Sequence, residues 1–436
     1  MADYQCGACG ARVTGDALGC PACGHAAGMR CPSCGFITAR TAFAGQPCPN
    51  CGSTAHLPRK HESDWSGILR AGAFLLAVVV VGTAAAFVLG EFRSPDVITG
   101  PLTDARAGHT ATPLENDRVL LAGGTGASGT LSSAEVYDAA SGRFTATGPM
   151  TVPRTAHTAT QLADGRVLIA GGSDGSNPLA SAEIYDPATG KFTTTGPMTT
   201  ARSGQAAARL ANGMVLVAGG QGSSGPVAAA EVFDPATGRF AATGSLSMPR
   251  TDATATILRN GQVLIAGGRG QKDDLASAEL YDPATGRFTA TGAMHAPRER
   301  FTATLLSDGG VLVAGGELIG FGHTTAAAEL YDPATGTFSE TSQMSVPRAA
   351  FTATLLPDGT VLMAGGENNA VDLGSAEAYV PSSGRFTTAG TMPIACDGQT
   401  ATLVGGKVLI AGGRAGNPLP TATLYEPGTG FTAINR

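Results

Sequence analysis

Eight of the nine cysteines fall before residue 52, and they come in pairs. Cys6 and Cys9, Cys20 and Cys23, Cys31 and Cys34, and Cys48 and Cys51 share C-x2-C spacing, with ten residues inside the first pair of pairs and thirteen inside the second. Four thiolates per group match the tetrahedral shell of zinc. Each second cysteine precedes a glycine, which lets the backbone turn sharply and aim N–H groups at the sulfurs. Two zinc ions are therefore expected, both structural, because four protein ligands leave no open position. The competing reading is a disulfide framework, which needs an oxidising compartment and ordinarily a cleavable signal peptide, and none is read ahead of Cys6. His25 and His56 read as bystanders beside sites that eight cysteines already fill. So short a segment holds little apolar core, so the metal supplies most of its folding free energy.

The knuckles CPACG, CPSCG and CPNCG resemble those of the double zinc ribbon family over roughly residues 4 to 54, with CGACG as a departure lacking proline. A double ribbon over residues 1–56 is the expectation that this resemblance carries. A linker over residues 57–70 follows it. Residues 71–89 then run without a charge, close to the length of a membrane-spanning helix, for which residues 71–90 are assigned. Trp65 and Arg70 precede it as interfacial anchors, and Arg59, Lys60 and Arg70 outweigh Arg93 across it, which keeps the N-terminus cytoplasmic. Reduced thiolates belong on that side. A late-cleaved signal sequence is the alternative, suggested by the small residues Ala84 to Ala86.

The elements beyond residue 101 are set by repetition. Paired glycines at Gly123, Gly171, Gly219, Gly267, Gly315, Gly365 and Gly412 are spaced by 48, 48, 48, 48, 50 and 47 residues. Glycine at 62 of 436 residues, with many Thr and Ala and few charges, suits short strands and tight turns and argues against a helical bundle. Hydrophobic runs such as RVLIAGG at this period resemble the kelch repeat, whose units are four-stranded propeller blades. The resemblance implies an all-β chain with a seven-bladed kelch β-propeller over residues 102–436, preceded by the ribbons and one transmembrane helix. In the second repeat, residues 157–162 and 166–170 read as strands around an Asp164-Gly165 turn, 181–185 as the third, and DPATG as a turn before Phe192 opens the fourth. Residues 91–101 are a linker whose VITGPL resembles the tail of a fourth strand, so this stretch and residues 431–436 are expected side by side in the last blade.

Segment charge narrows the function. The first seventy residues carry six Arg/Lys against four acids, +2, leaving −8 for the rest, which argues against a nucleic-acid partner. Kelch propellers resemble both binding modules and copper radical oxidases of the galactose oxidase kind. The propeller offers one cysteine, Cys396, and histidines at non-equivalent positions, of which His109 and His157 share the first-strand position of adjacent blades. No nucleophile elbow or phosphate loop is present. Arg106, Arg154, Arg202, Arg250, Arg298 and Arg348 recur with Glu135, Glu183, Glu231, Glu279, Glu329 and Glu377, while the seventh repeat has Cys396 and Thr423 in their places. Losing both together points to an intra-repeat pair, against a ring of ligand-binding arginines such as kelch adaptors turn toward acidic peptides.

The expected function is a non-enzymatic, membrane-anchored interaction protein of bacterial character. Its extracytoplasmic propeller binds a protein, peptide or glycan, and its ribbons meet a cytoplasmic protein partner. An extracytoplasmic enzyme of carbohydrate or oxidative chemistry is the alternative. The loops joining strand two to three and strand four to one share one face and vary between blades, which is where recognition resides. Arg269, Lys272, Arg300, Phe321 and His323 are the candidate ligand-binding residues there, with Glu317, Glu367 and Asn368 as acceptors.

Overall fold

The computed structural model describes residues 102–318 and 323–432, together with the backbone of four two-residue strands near the N-terminus. Two compact units divide the chain, Met1–Arg93 and Ser94–Arg436. In the first, Tyr4–Gln5 pairs antiparallel with Arg12–Val13, and Met29–Arg30 with Ile37–Thr38. These ladders bracket the first and third C-x2-C pairs in sequence. The eight cysteines expected to bind zinc, residues 71–90 and residues 91–101 lie outside the described residues. Among the described residues no helix is long and apolar enough to cross a membrane.

The second unit is a seven-bladed β-propeller of seven four-stranded antiparallel sheets, each made from one repeat in chain order. In blade two the strands are Thr158–Gln161, Val167–Ala170, Ala182–Asp186 and Lys191–Thr194. First strands contact first strands of both neighbours all round the ring, so they line the axis and the fourth strands form the rim. The second strand is buried on both faces, which explains its unbroken apolar run of Val, Leu, Ile and Ala. An aromatic pair locks the outer ladder of every blade: Tyr185 lies opposite Phe192 with ring centroids 4.8 Å apart, and the other six pairs repeat this within 4.8–5.0 Å. The glycine pair ends strand two where the next blade presses on it. A Cβ on Gly171 would stand 2.6 Å from the Arg202 carbonyl oxygen, one on Gly172 2.6 Å from that of Thr155, and both residues have positive φ.

The recurring arginine and glutamate form the intra-repeat pair that the sequence suggests. The Arg154 Nη2 donates to Glu183 Oε1 at 2.8 Å, and its Nη1 donates to the carbonyls of Gly171 and Ser181 at 2.7 and 3.1 Å. The other Glu183 oxygen accepts the Thr151 N–H at 2.8 Å, on the segment that enters the blade from its predecessor. Both side chains are fully buried. Burial pulls the Arg154 pKa down while Glu183 pulls it back. The same pair closes in the other five blades at 2.6–3.0 Å. In blade seven the buried Cys396 carries a thiol raised to about 12 by burial, so no charge there calls for a carboxylate.

Closure follows the same pattern. The Leu102 N–H donates to the Pro420 carbonyl at 2.8 Å, as the Met198 N–H does to the Ala180 carbonyl at 2.9 Å within blade two. Gly430–Thr432 pairs with Ala422–Glu426. Leu102 thus takes the position in blade seven that Met198 takes in blade two, and residues 430–432 form the described part of that blade's fourth strand, while the rest of the two stretches expected side by side, residues 91–101 and 433–436, lies outside the described residues. Cutting one partner of a buried ion pair strands the other charge. Arg154→Met is expected to cost about 3–5 kcal/mol, and Arg154→Met with Glu183→Leu distinctly less, by urea unfolding of the full chain. Equal losses in the single and double variants would contradict the pairing.

Candidate functional site: the loop face around the channel mouth

Backbone bridges tie each blade's entry segment to its two-to-three loop, as between Thr251 and Arg269 or Glu299 and Glu317. Those connections therefore share one face, as expected, while the DG and DPATG turns occupy the other. Two positions beyond the entry Arg or Cys stand Gly108, Ala156, Gly204, Asp252, Arg300, Ala350 and Gly398, all with φ between 50° and 63°. Backbone bonds pass round this ring: the Gly108 N–H donates to Gly398 O, Gly398 to Ala350, Ala350 to Arg300, Asp252 to Gly204 and Gly204 to Ala156, at 2.8–3.3 Å. Left-handed backbone suits glycine and is tolerated by aspartate, but costs a long side chain about 1 kcal/mol. Five of the seven positions are Gly or Ala. Asp252 and Arg300, adjacent in the ring, are the two that carry charge into the mouth.

Arg300 gathers carboxylates from three blades. Its Nη1 lies 2.5 Å from Glu317 Oε1 and 2.6 Å from Glu367 Oε1, and its Nη2 lies 3.6 Å from Asp397 Oδ2. Asp397 also accepts two bonds from Arg414, both 2.9 Å, across blade seven. Burial raises the Glu317 pKa against the opposing pull of Arg300. Asp372 is also raised, first by burial and then by Asp397 and Glu367. Beside this network Glu299 is 6 % exposed and makes no side-chain hydrogen bond or ion pair with any described residue. Burial, then Asp274 and Asp252, push its pKa up to about 7, with Arg269 opposing. A hollow of about 440 Å³ opens between blades three, four and five, lined by Ser203, Gln221, Asp252, Arg269, Gln271 and Glu299 among others.

The sequence-stated candidates divide accordingly. Arg269 lines the hollow, Lys272 is exposed on the same loop, and Arg300 holds the ring network rather than standing free. His323 lies in the short strand His323–Thr324, opposite Leu318 in Glu317–Leu318. Phe321 lies outside the described residues. Asp252, Glu299, Asp397 and Arg414 escaped the sequence reading. Aligning the repeats at the two positions after each entry Arg exposes the first three, because Ala, Gly, Ser or Thr occupies those positions elsewhere.

His109 and His157 do not face a common ligand position. The His109 Nε2 bonds Thr400 Oγ1 at 3.0 Å and the His157 Nε2 bonds Thr110 Oγ1 at 2.9 Å, each in the preceding blade. Burial and the nearby arginines lower both pKa values, to about 3 for His157, so both rings are neutral at pH 7. Among the described residues no group of three or more His, Cys, Asp or Glu is placed to hold a metal ion.

Residues 154–199 match the Kelch motif. A fungal alcohol oxidase of the AA5 family, solved in complex with copper, is similar in fold, with a TM-score of 0.61 at 18% identity over 76% of this chain and 77% of that one. A search of the curated proteins finds none that matches. The chain thus carries a Kelch motif within a seven-bladed β-propeller, and the likeness to the oxidase is one of fold.

Glu299 gives the site a pH signature. Its folded pKa, about 7, lies above the ordinary 4.5, so its ionised form is disfavoured by folding. The stability linked to it is full below the ordinary value and is lost as pH rises toward the folded one. Glu299→Gln removes that loss, so the variant's advantage over the parent is expected to grow from about pH 5 to about pH 8 by up to about 3 kcal/mol. Urea unfolding at the two pH values checks this, and a pH-independent difference would contradict the assignment.

Proposed function

We propose that this protein is a membrane-anchored interaction protein whose propeller docks a protein or peptide on its loop face, outside the cytoplasm. One observation carries the reading. The frame repeats from blade to blade, whereas the mouth breaks the repeat with a charged network held in strained backbone, centred on Arg300. Strain of this kind persists where the surrounding structure over-determines it, and it clusters at functional sites. The opposite face offers repeated turns with little variety for recognition. The Kelch-type fold favours a protein-interaction role over a catalytic one. An oxidative enzyme is supported by the fold of the copper-bound alcohol oxidase alone.

The rest of the chain extends the proposal. The eight early cysteines hold two structural zinc ions, the ribbons so formed meet a second, cytoplasmic partner, and residues 71–90 anchor the chain in what reads as a bacterial cell membrane. Glycan remains a third ligand class for the propeller, and its lack of an exposed aromatic platform among the described residues of the hollow favours peptide.

Two measurements address these readings. In capture from native membranes with the full chain as bait, Phe321→Ala and Arg300→Ala are each expected to weaken partner binding by about 1–3 kcal/mol, while Thr237→Ala on a DPATG turn leaves it unchanged; the reverse pattern would place the docking face on the turns. Protease applied to spheroplasts is expected to remove the propeller and spare an N-terminal fragment carrying two zinc ions per chain. Loss of that fragment, or a protected fragment without zinc, would refute the topology or the ribbons.

A further inference from the structure

We propose that the hollow between blades three, four and five is a cation pocket that takes the guanidinium or ammonium group of a partner's arginine or lysine side chain, with Glu299 and Asp252 as its acceptors. This rests on the reading of the loop face as a docking surface and names the chemistry it recognises.

The case begins with two equivalent positions. In blade seven the residue after the entry position is Asp397, and the residue after the glycine pair is Arg414, which donates two hydrogen bonds to it at 2.9 Å. In blade five the same two positions hold Glu299 and Glu317, bridged through their backbones. The built-in donor of blade seven is thus replaced by a second carboxylate, and that carboxylate is already taken by Arg300 at 2.5 Å. Glu299 is left 94 % buried, at 6 % exposure, in the wall of the hollow without a hydrogen bond or ion pair from any described residue. A buried carboxyl without a donor is costly, and native proteins leave few of them. Such a group, facing a hollow large enough for a long side chain, is complete when a ligand brings the donor.

The neighbours decide the sign of that ligand. Asp252 lines the hollow with Glu299, one of its carboxylate oxygens accepts the Thr251 hydroxyl at 3.1 Å, and Arg300 and Arg269 attract it against the desolvation that raises its pKa. Asp274 and Glu317 add negative charge on Glu299, while Arg269 is the cation that opposes it. Arg269 is exposed at the wall and forms no ion pair with a described residue, so it leaves Glu299 open to a second cation, with the Asp252 oxygen that Thr251 does not engage beside it. Gln221, Gln271 and Ser203 supply neutral oxygen acceptors in the same wall, which suit the remaining N–H groups of a guanidinium. The groups around Glu299 are therefore acidic on three sides, Asp252, Asp274 and Glu317, and basic on one. Binding a cation draws Glu299 into its ionised form, so affinity rises with pH across the range in which that carboxyl titrates.

The test is calorimetric titration of the full-length protein with short blocked tripeptides carrying Arg, Lys, citrulline or Glu at the centre. The Arg or Lys peptide is expected to bind, more tightly at about pH 8 than at about pH 6, and the citrulline and Glu peptides to fail. Glu299→Gln keeps shape and removes charge, and it is expected to weaken the cationic peptide about tenfold or more. Asp252→Asn should weaken it as well, and Arg269→Gln should retain or strengthen it. Absence of binding by both cationic peptides would overturn the proposal. So would binding of the Glu peptide that is lost in Arg269→Gln, because the hollow would then be an anion site. Partner capture separates this claim from the docking face: loss in Arg300→Ala with full retention in Glu299→Gln keeps the face and rejects the pocket, whereas retention in both rejects the two together.

Discussion

The buried arginine–glutamate pair at six of the seven blade entrances is the interaction on which the propeller depends. A blade contributes little by itself, because its two buried faces are completed by its neighbours, so the connections between blades must be held in one geometry. The arginine does this by spending its donors on the end of strand two, on the loop before strand three and on the glutamate, while the glutamate's second oxygen holds the incoming segment. Ion pairs this deep add little net stability over an apolar filling, and their use lies in permitting one arrangement. Blade seven carries the neutral, buried Cys396 at the entry position and Thr423 in place of the glutamate, so neither an arginine nor a carboxylate is left there without its partner.

That frame sets what the loop face can do. Seven entry segments converge on the axis and pass through a left-handed residue, which is small at five positions, glycine at three and alanine at two. Where the chain departs from this, at Asp252 and Arg300, it accepts strain in order to place charge at the mouth. Arg300 then neutralises carboxylates from blades five, six and seven, whereas the buried Glu299 beside it forms no ion pair with a described residue. On the proposed docking reading, a rigid rim with an incompletely compensated negative pocket would recognise charge on a partner without reorganising the frame.

Much of the frame was legible in the sequence because its causes are local. The glycine period, the DPATG turns, the aromatic that opens the fourth strand and the joint loss of Arg and Glu in repeat seven each follow from contacts within one repeat or with its nearest neighbour. The site was less legible, because its residues come together only after the ring closes. Arg300 stood out as an interruption, but nothing local tells that Glu317, Glu367 and Asp397 converge on it from three blades. Glu299 reads as one more loop acid until burial and the missing donor are seen.

Site-specific photo-crosslinking in living cells tests most directly whether the mouth, and not the repeated frame, is where this protein acts. A crosslinking residue at the exposed Gln271, on the loop face, should yield a discrete adduct, and one at the exposed Ala188, on the DPATG face, should yield none. Adducts from Ala188 with none from Gln271 would contradict the assignment of function to the loop face.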